Sequence, residues 1–332
     1  MTPAGSAAMR DVRTTCPYCG VGCGVIATTD GVIVQAVRGD PQHPANVGRL
    51  CSKGSTLHQS ARGGGRLLHP MVRCSRDAPR EAVGWEQAMA LATSRFAGIV
   101  REHGPDAVAF YGSGQLLTED YYVLNKLARV AVGTNNLDTN SRLCMSSAVA
   151  GYKATLGADS VPACYEDIEQ ADLLFIAGSN TAYAHPIVMR RIEAARSARP
   201  GQRMIVVDPR RTVTAQAADL HLAILPGTDV ALFHAMLHWL IWEEKIAADW
   251  IGAHTDGFDA LRRAVRETSP RAMARVCGVR EEDIITAARW WSESGSVLSL
   301  YCQGLNQSSS GTEKNAALIG LHLATAQIGR PG

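Results

Sequence analysis

The chain has 332 residues, of which 46% are hydrophobic and 6% aromatic, with 33 lysines and arginines against 31 aspartates and glutamates. This length allows two or three compact units, and the composition is that of a globular α/β protein rather than a disordered or fibrous one. The near balance of charge argues against a nucleic-acid partner and against an anionic membrane surface.

Two stretches bear on location. The N-terminal "MTPAGSAAMRDVRTT" has no apolar core and no paired arginines, so it predicts no secretory leader. Together with an odd number of cysteines, nine, this predicts a reduced, cytoplasmic setting. The longest apolar run, residues 230–242, is shorter than the roughly 20 residues that span a bilayer. It predicts a buried helix and no membrane segment.

The first predicted unit covers residues 1–66. Glycines and cysteines punctuate residues 16–60, and "GVIVQAVRGD" alternates enough to predict a hairpin. The unit ends at "ARGGGRLLHPM", where three glycines precede a proline. A small, loop-rich unit of this kind needs a cross-link or a bound metal centre to stabilise it.

Four cysteines could bind such a stabilising metal centre. Cys16, Cys19, Cys23 and Cys51 follow the spacing C-x2-C-x3-C-x27-C. Three close thiolates and one remote one are typical of a cubane iron–sulfur cluster. Zinc remains the alternative, since four cysteines also close a tetrahedral site, but zinc ribbons usually carry two C-x-x-C pairs. Lys53, two residues after the last cysteine, is either a solvated surface lysine or a bridge to a second redox group.

The remainder of the chain predicts α/β structure in two further parts, over residues 67–141 and 142–332. In the first part, "DAVAFYGSG" predicts a strand and "TEDYYVLNKLARVAVG" a helix capped by Thr118. In the second, a helix from about Met145 precedes strands at "DLLFIAG", "RMIVVD", "LHLAIL" and "VLSLYCQG", with helices between and after them. This alternation predicts a doubly wound, mostly parallel sheet.

The loops that follow four of these strands read "AGSN", "DPRRT", "LPGTD" and "CQGLNQ". In doubly wound sheets, ligands bind outside the carboxyl ends of the strands. Turn chemistry alone explains Gly, Asn, Asp and Pro in any one loop. All four together favour an extended ligand with phosphates and a base. Because no G-x-G-x-x-G or G-x-x-x-x-G-K-[ST] motif is present, ordinary NAD and P-loop sites lose support.

Cys144 lies in "NSRLCMSSAVAGY", next to the predicted helix start at Met145. Helix dipoles near an N-terminus favour the thiolate, which is the form that ligates metals or attacks substrates. A small buried cysteine is the alternative. Cys74, Cys164, Cys277 and Cys302 lack such a context.

The stretches "CPYCGVGCGV", "GDPQHPANVGRLCSKG", "NSRLCMSSAVAGYKATLGAD" and "IAGSNTAYAHP" together resemble the molybdopterin-dependent oxidoreductases of the dimethyl-sulfoxide-reductase superfamily. Within it, the chain resembles the catalytic subunits of cytoplasmic, assimilatory bacterial nitrate reductases. The resemblance implies that the four cysteines at 16, 19, 23 and 51 hold a [4Fe-4S] cluster. It also implies that Lys53 lies between this cluster and one pterin, and that Cys144 ligates molybdenum.

The resemblance further implies that residues 142–332 bind molybdopterin guanine dinucleotide, two of which hold the metal. Phosphate and guanosine contacts are implied for Gly178, Ser179, Asn180, Asp208 and Arg210, and guanine contacts for Gly227, Thr228 and Asp229. Pterin contacts are implied for Gln115, Asn140, Gln303 and Gln307. Asp208 and Asp229 match acceptors for ribose or guanine N–H groups.

The implied activity is reduction of nitrate to nitrite, with electrons delivered by a flavoprotein or ferredoxin. A formate dehydrogenase of the same superfamily is the rival, disfavoured because Met145 rather than a histidine follows Cys144. A non-catalytic electron-transfer or assembly subunit is a second rival. Family members continue well beyond "IGRPG", so the sequence is expected to be an N-terminal fragment that is catalytically incomplete.

Overall fold

The structure, a computed structural model, describes residues 8–61, 67–114 and 116–332, the side chains of residues 141 and 142 excepted. The chain divides into two compact units. Unit 1 combines Met1–Arg62 with Ser147–Gly332, and unit 2 is Gly63–Ser146. The cysteine-rich segment therefore shares one unit with the C-terminal half of the chain.

The cysteine-rich segment is built on a three-stranded antiparallel sheet. Its elements are β1 (Arg10–Thr15), β2 (Gly24–Thr29), β3 (Val34–Gly39), α1 (Ser52–Ser55) and α2 (Leu57–Ser60), in the sheet order β1-β2-β3. The predicted hairpin at "GVIVQAVRGD" corresponds to the turn before β3 and to β3 itself, whose partner is β2. The Asp30 carboxylate closes that turn by accepting from the N–H groups of Val32 and Ile33 at 2.9 and 2.7 Å.

Unit 2 contains short strands and two long helices. Its elements are β4 (Met71–Val72), β5 (Glu81–Ala82), α3 (Trp85–His103), β6 (Phe110–Gly112), α4 (Thr118–Lys126), β7 (Leu137–Thr139) and the start of α5 (Asn140–Leu156). β6 and β7 are parallel, and a π-helical stretch over Leu127–Val132 extends α4. The predicted cap at Thr118 is wrong by one position. Thr118 is already helical, and Asp120 accepts the N–H of Leu117 at 3.1 Å instead.

The second segment of unit 1 alternates strands and helices, as predicted. Its strands are β8 (Leu173–Ala177), β9 (Arg203–Val207), β10 (Leu220–Leu222) and β11 (Val297–Tyr301). The helices between β8 and β10, with the one before β8, are α6 (Asp167–Gln170), α7 (Thr181–Ala184), α8 (Pro186–Ala198) and α9 (Val213–Gln216). The later helices are α10 (Asp229–Trp242), α11 (Ala248–His254), α12 (Phe258–Ala264), α13 (Pro270–Cys277), α14 (Glu281–Glu293), α15 (Gln303–Asn306) and α16 (Gly311–Ala324).

The four strands β8 to β11 form one fully parallel sheet in the order β10-β9-β8-β11. Side chains alternate between its two faces. Phe175 and Ile205 join a core made with α10, α13, α14 and α16. Ile176 and Val206 join a second core, made with α8 and with the cysteine-rich segment. Both faces are covered, as parallel sheets require, so the doubly wound prediction is confirmed.

Unit 2 buries little of its apolar surface. Three of its described residues are buried, namely Val108, Ala128 and Thr134. Large side chains on α3 and the π-helical stretch are exposed, including Trp85 at 68% and Val130 at 75%. Along the described part of the chain, no helix is both long enough and apolar enough to cross a membrane.

This difference in burial predicts different local stabilities. Amide protons of α3 are expected to exchange at least about a hundredfold faster than those of α10, because few buried contacts oppose local opening of α3. Hydrogen exchange of the 332-residue chain, followed by mass spectrometry on peptides from each helix, measures this. Equal protection of α3 and α10 would contradict the prediction.

Candidate functional site

The turn that carries the first three cysteines is fixed by the β1–β2 hairpin. Cys16 follows β1 and Cys23 precedes β2, and the N–H of Cys16 donates to the carbonyl of Cys23 at 2.9 Å. Cys19 lies in the loop between them, where Gly22 has a φ of +69°, a conformation that favours glycine. Cys51 is the residue before α1. The two segments thereby present their thiols to each other.

The four thiols lie close enough to interact. Burial, together with the neighbouring Cys16, Cys19 and Cys51, raises the pKa of the Cys23 thiol to about 11. Bare thiolates in such a group repel one another, whereas a bound metal centre favours the thiolate form. Among the described residues, no three His, Cys, Asp or Glu side chains are arranged around a single-ion site. Four cysteine sulfurs at a glycine-rich turn are a donor set typical of iron–sulfur clusters.

Asn46 joins the two cysteine segments and was missed by the sequence analysis. Its side chain, buried to 2% exposure, accepts from the N–H of Gly24 at 2.8 Å and donates to the carbonyls of Gly24 and Arg49 at 3.1 and 2.8 Å. Gly24 adjoins Cys23, and Arg49 lies two residues before Cys51. The local sequence "GDPQHPANVGRLC" does not signal this role, because neither the burial of Asn46 nor its Gly24 partner, 22 positions away, can be read from it.

Lys53 lies on α1 and is exposed. Its charge reaches the loop that follows β8, because burial lowers the pKa of His185 and the positive charge of Lys53 lowers it further. His185 is the last loop residue before α8. Lys53 therefore lies near the junction of α7 and α8, a few residues after the predicted ligand loop that follows β8.

The loops after β8 and β11 touch through their backbones. The N–H of Gly304 donates to the carbonyl of Gly178 at 3.0 Å, and a Cβ on Gly178 would come within 2.6 Å of the Gly304 carbonyl carbon. Gly178 also has a φ of +57°. In the sheet order β10-β9-β8-β11 the chain moves away from β8 in both directions, which makes this the topological switch point where such folds bind ligands.

Ser179 and Asn180, predicted to contact a ligand, have side chains that bond within the loop. The Ser179 hydroxyl pairs with Thr181 at 3.0 Å, and the Asn180 Oδ1 accepts from the Thr214 hydroxyl at 3.1 Å. Thr214 in turn accepts the N–H of Ala182 at 3.0 Å. These bonds fix the loop's shape.

Asp208 and Arg210 have different environments. Asp208, after β9, is buried, and its Oδ1 accepts from the N–H of Arg210 at 2.8 Å. His221 bonds to the carbonyl of Asp208 at 2.8 Å. The turn built in this way leaves Arg210 and Arg211 exposed at the carboxyl edge of the sheet. Two exposed guanidinium groups at that edge suit an anionic ligand such as phosphate.

Asp229 forms a buried ion pair that the sequence did not predict. The Lys314 ammonium lies 2.7 Å from the Asp229 carboxylate, and the two side chains are 4% and 9% exposed. Asp229 is the first residue of α10, and Lys314 lies in the first turns of α16. Gly227 in the preceding loop has a φ of +89°, and the Thr228 hydroxyl donates to the carbonyl of Leu225 at 2.7 Å. One carboxylate oxygen of Asp229 is thus engaged inside the protein.

Gln303 and Gln307 lie at the two ends of α15, after β11, and both side chains are exposed. The Gln303 Oε1 accepts from Asn306 at 3.3 Å. The loop is anchored on the other side by the hydroxyl of Ser147, which donates to the carbonyl of Asn306. Both glutamines therefore belong to the same carboxyl edge as Gly178.

The remaining predicted residues belong to unit 2. Gln115 lies outside the described residues. Asn140 opens α5, and its side-chain oxygen accepts from the N–H of Gly114, in the loop after β6. Cys144 is half-buried on α5. The helix starts at Asn140 rather than near Met145, so Cys144 lies in its second turn and the predicted helix start is wrong.

Comparison with known proteins bears on this arrangement. A family described as molybdopterin oxidoreductase matches residues 66–332, and the molybdopterin oxidoreductase Fe4S4 domain matches residues 9–63. A nitrate reductase of Klebsiella oxytoca is 48% identical over 98% of this chain. A periplasmic nitrate reductase of Desulfovibrio desulfuricans is 43% identical over 97%. The F420-dependent formate dehydrogenase subunit alpha of Methanocaldococcus jannaschii is 36% identical over 97%.

Among solved structures, acetylene hydratase from Pelobacter acetylenicus matches 96% of this chain with a TM-score of 0.81 at 20% identity, which supports the fold alone. The chain spans 36% of the Klebsiella protein, 44% of the Desulfovibrio protein and 46% of the formate dehydrogenase subunit. It also spans 44% of acetylene hydratase. The matched regions of these proteins are thus less than half of their length.

The buried Asp229–Lys314 pair generates a test. Replacing Lys314 with Met leaves a buried carboxylate without its partner, which is expected to cost about 3 to 5 kcal/mol of unfolding free energy. The double variant Asp229→Asn, Lys314→Met removes both charges and is expected to recover most of that loss. Urea unfolding monitored by tryptophan fluorescence measures both. A loss under about 1 kcal/mol for Lys314→Met would mean that the pair does not stabilise unit 1.

Proposed function

Because the chain belongs to the molybdopterin oxidoreductase family, we propose that the protein reduces nitrate to nitrite. The matched domains are those of a molybdenum–pterin cofactor and of a [4Fe-4S] cluster. The 48% identity to a nitrate reductase, against 36% to a formate dehydrogenase subunit, supports nitrate as the substrate. The reaction consumes nitrate, two electrons and two protons, and yields nitrite and water.

One observation carries the proposal. The cysteine-rich segment packs against one face of the parallel sheet, where Val21 and Cys23 join the core formed with α8, and the charge of Lys53 acts on His185 at the start of α8. A redox enzyme of this kind needs an electron-transfer centre close to its cofactor. Here the candidate cluster segment and the sheet edge proposed to bind the dinucleotide belong to one unit.

The residues divide the work as follows. Cys16, Cys19, Cys23 and Cys51 hold the [4Fe-4S] cluster, and Cys144 ligates molybdenum. The cofactor is the guanine dinucleotide form. Arg210 and the Gly178–Asn180 loop would hold its phosphates, and Gly227–Asp229 would hold its guanine. Gln115, Asn140, Gln303 and Gln307 contact the pterins, and Lys53 lies on the electron path.

Bound molybdenum would accept the oxygen atom that nitrate loses and would supply the two electrons of the reduction. The chain's own contribution is to hold and orient. The touching backbones of Gly178 and Gly304 bring the polar loops after β8 and β11 together at the switch point, where a phosphate would be bound. The exposed Arg210 donates to the same anion. Lys53 places one positive charge beside the route from the cluster to the pterin.

The cellular setting is part of the proposal. We assign the protein to nitrate assimilation in the cytoplasm, with a flavoprotein or ferredoxin as electron donor. The near balance of 33 basic and 31 acidic residues argues against a nucleic-acid partner.

The metal-ligand assignment is tested with the full-length protein. Cys144→Ala is expected to abolish nitrate reduction by a reduced viologen dye, because the metal loses its protein sulfur. The iron bound by the cluster domain is expected to stay near four atoms per chain. Cys164→Ala, at an exposed cysteine, is the matched control and is expected to keep activity. Wild-type turnover of Cys144→Ala would contradict the assignment.

The same assay separates the rival functions. Formate-dependent dye reduction without nitrate reduction would indicate a formate dehydrogenase. Iron without molybdenum in the full-length protein would indicate a non-catalytic subunit. Stoichiometric zinc without iron would contradict the cluster itself.

The electron-path assignment has its own variant. Lys53→Met keeps the length of the side chain and removes its charge, so cofactor content is expected to stay unchanged while turnover with the natural donor falls several-fold. Lys245→Met, at another exposed lysine of unit 1, is the control. Normal turnover of Lys53→Met with the natural donor would mean that this lysine is an ordinary surface residue.

A further inference from the structure

Among the described residues of the second segment of unit 1, three side chains bond to the backbone of the cysteine-rich segment. The Tyr165 hydroxyl donates to the carbonyl of Val21 at 3.0 Å, between Cys19 and Cys23. Arg190 donates to the carbonyl of Leu50, the residue before Cys51, at 3.0 Å. Arg191 donates to the carbonyl of Pro44 at 2.8 Å. Neither arginine nor the tyrosine belongs to the cysteine motif or to the ligand loops.

Arg191 is itself fixed in place. Its Nε and Nη2 donate to the two carboxylate oxygens of Glu169 at 2.8 and 3.1 Å, and its side chain is 12% exposed. The guanidinium lies 5.4 Å from the centroid of the Tyr165 ring, within cation–π range. A connected series therefore runs from Glu169 through Arg191 and Tyr165 to the peptide of Val21.

Tyr165 is close to two of the thiols. Burial raises the pKa of its phenol, and the neighbouring Cys23 and Cys19 raise it further, while Arg191 lowers it. The same region packs Cys16 and Cys19 against the apolar side chains of α8. The phenol thus lies at the boundary between the cysteine turn and the sheet.

We propose that Tyr165, oriented by Arg191, is a positioning residue that raises the reduction potential of the cluster held by the Cys16–Cys23 turn and Cys51. This rests on the proposed cluster ligands. Cluster potentials depend on net charge, hydrogen bonding around the sulfurs and solvent exposure. Through its hydrogen bond to the Val21 carbonyl, the phenol fixes the loop that carries two of these ligands, Cys19 and Cys23.

The direction of the effect follows from charge. Reduction adds one electron to the cluster, so a fixed positive charge nearby stabilises the reduced state and raises the potential. Arg191, with little exposed surface, is screened less than a surface arginine. Glu169 balances part of the Arg191 charge, but the guanidinium lies against the Tyr165 ring, and its removal leaves the Glu169 carboxylate unpaired, which lowers the potential. Loss of the Tyr165 hydroxyl also lowers it, because the O–H dipole then no longer offsets the partial negative charge of the Val21 carbonyl.

The test is a redox titration of the cluster in the full-length protein, monitored by the paramagnetic signal of its reduced state. Tyr165→Phe keeps the ring and removes the hydroxyl, and Arg191→Gln removes the charge. Both are expected to shift the midpoint potential to more negative values, with the larger shift for Arg191→Gln. Arg191→Lys, which keeps the charge, is expected to shift it less.

The control is Arg196→Gln on the same helix. Arg196 also forms a two-pronged ion pair, to Asp219 at 2.7 Å, but its other partner is the carbonyl of Ala217 rather than a cysteine loop. Its removal is expected to leave the potential unchanged. A shift as large as that of Arg191→Gln would attribute the effect to general loosening of α8 and overturn the proposal.

The remaining outcomes also decide. If Tyr165→Phe carries full iron and titrates at the wild-type potential, the phenol only packs against the turn and the proposal is wrong. If Arg191→Gln fails to bind iron, the Tyr165→Phe value decides. If both folded variants lose iron, the contact serves cluster assembly and the proposal is overturned. Zinc in the unsubstituted protein would contradict the cluster assignment instead, and nitrate turnover enters none of these readouts.

Discussion

Burial of both faces of the β8–β11 sheet is the constraint on which the arrangement of unit 1 depends. Strands such as "LLFIA" and "MIVV" carry apolar side chains toward both faces, so neither face can be left to water. Helices α10, α13, α14 and α16 cover one face. The other is covered by α8 together with the cysteine turn, whose Val21 and Cys23 belong to that core. The position of the candidate cluster is therefore a consequence of core formation.

The strand order converts this core into a site. Strands β9 and β11 lie on opposite sides of β8, so the chain leaves β8 toward β9 and leaves β11 on the other side. The two loops nevertheless begin side by side and touch at Gly178 and Gly304. Any larger residue at either position would collide with the opposite backbone, so the glycines are a packing requirement before they are a ligand requirement. The polar loops predicted from sequence come together for the same reason, since all four follow parallel strands.

The sequence predicted what local patterns encode. Buried parallel strands such as β8 and β9 are continuous apolar runs, and the glycine-rich cysteine turn has a recognisable spacing. It missed β1, whose "RDVRTT" is fully exposed, and α3, whose apolar face is not buried within unit 2. It also missed Asn46, Tyr165 and Lys314. Their partners lie 22, 144 and 85 positions away in the chain, and no short pattern reports such contacts.

The polar residues at the carboxyl edge of the β8–β11 sheet form two groups that cannot be told apart from the sequence. Asn180, Asp208 and Asp229 direct side-chain oxygens to partners within the protein, as buried acceptors must. Arg210 and Gln303 are exposed at the same edge. The buried acids thus shape loops whose outward chemistry is set by exposed guanidinium and amide side chains such as those of Arg210 and Gln303. An edge of that kind is complementary to phosphate, which accepts hydrogen bonds and carries negative charge. Recognition of a base or sugar would then depend on whichever oxygen of Asp208 or Asp229 the internal partners leave available.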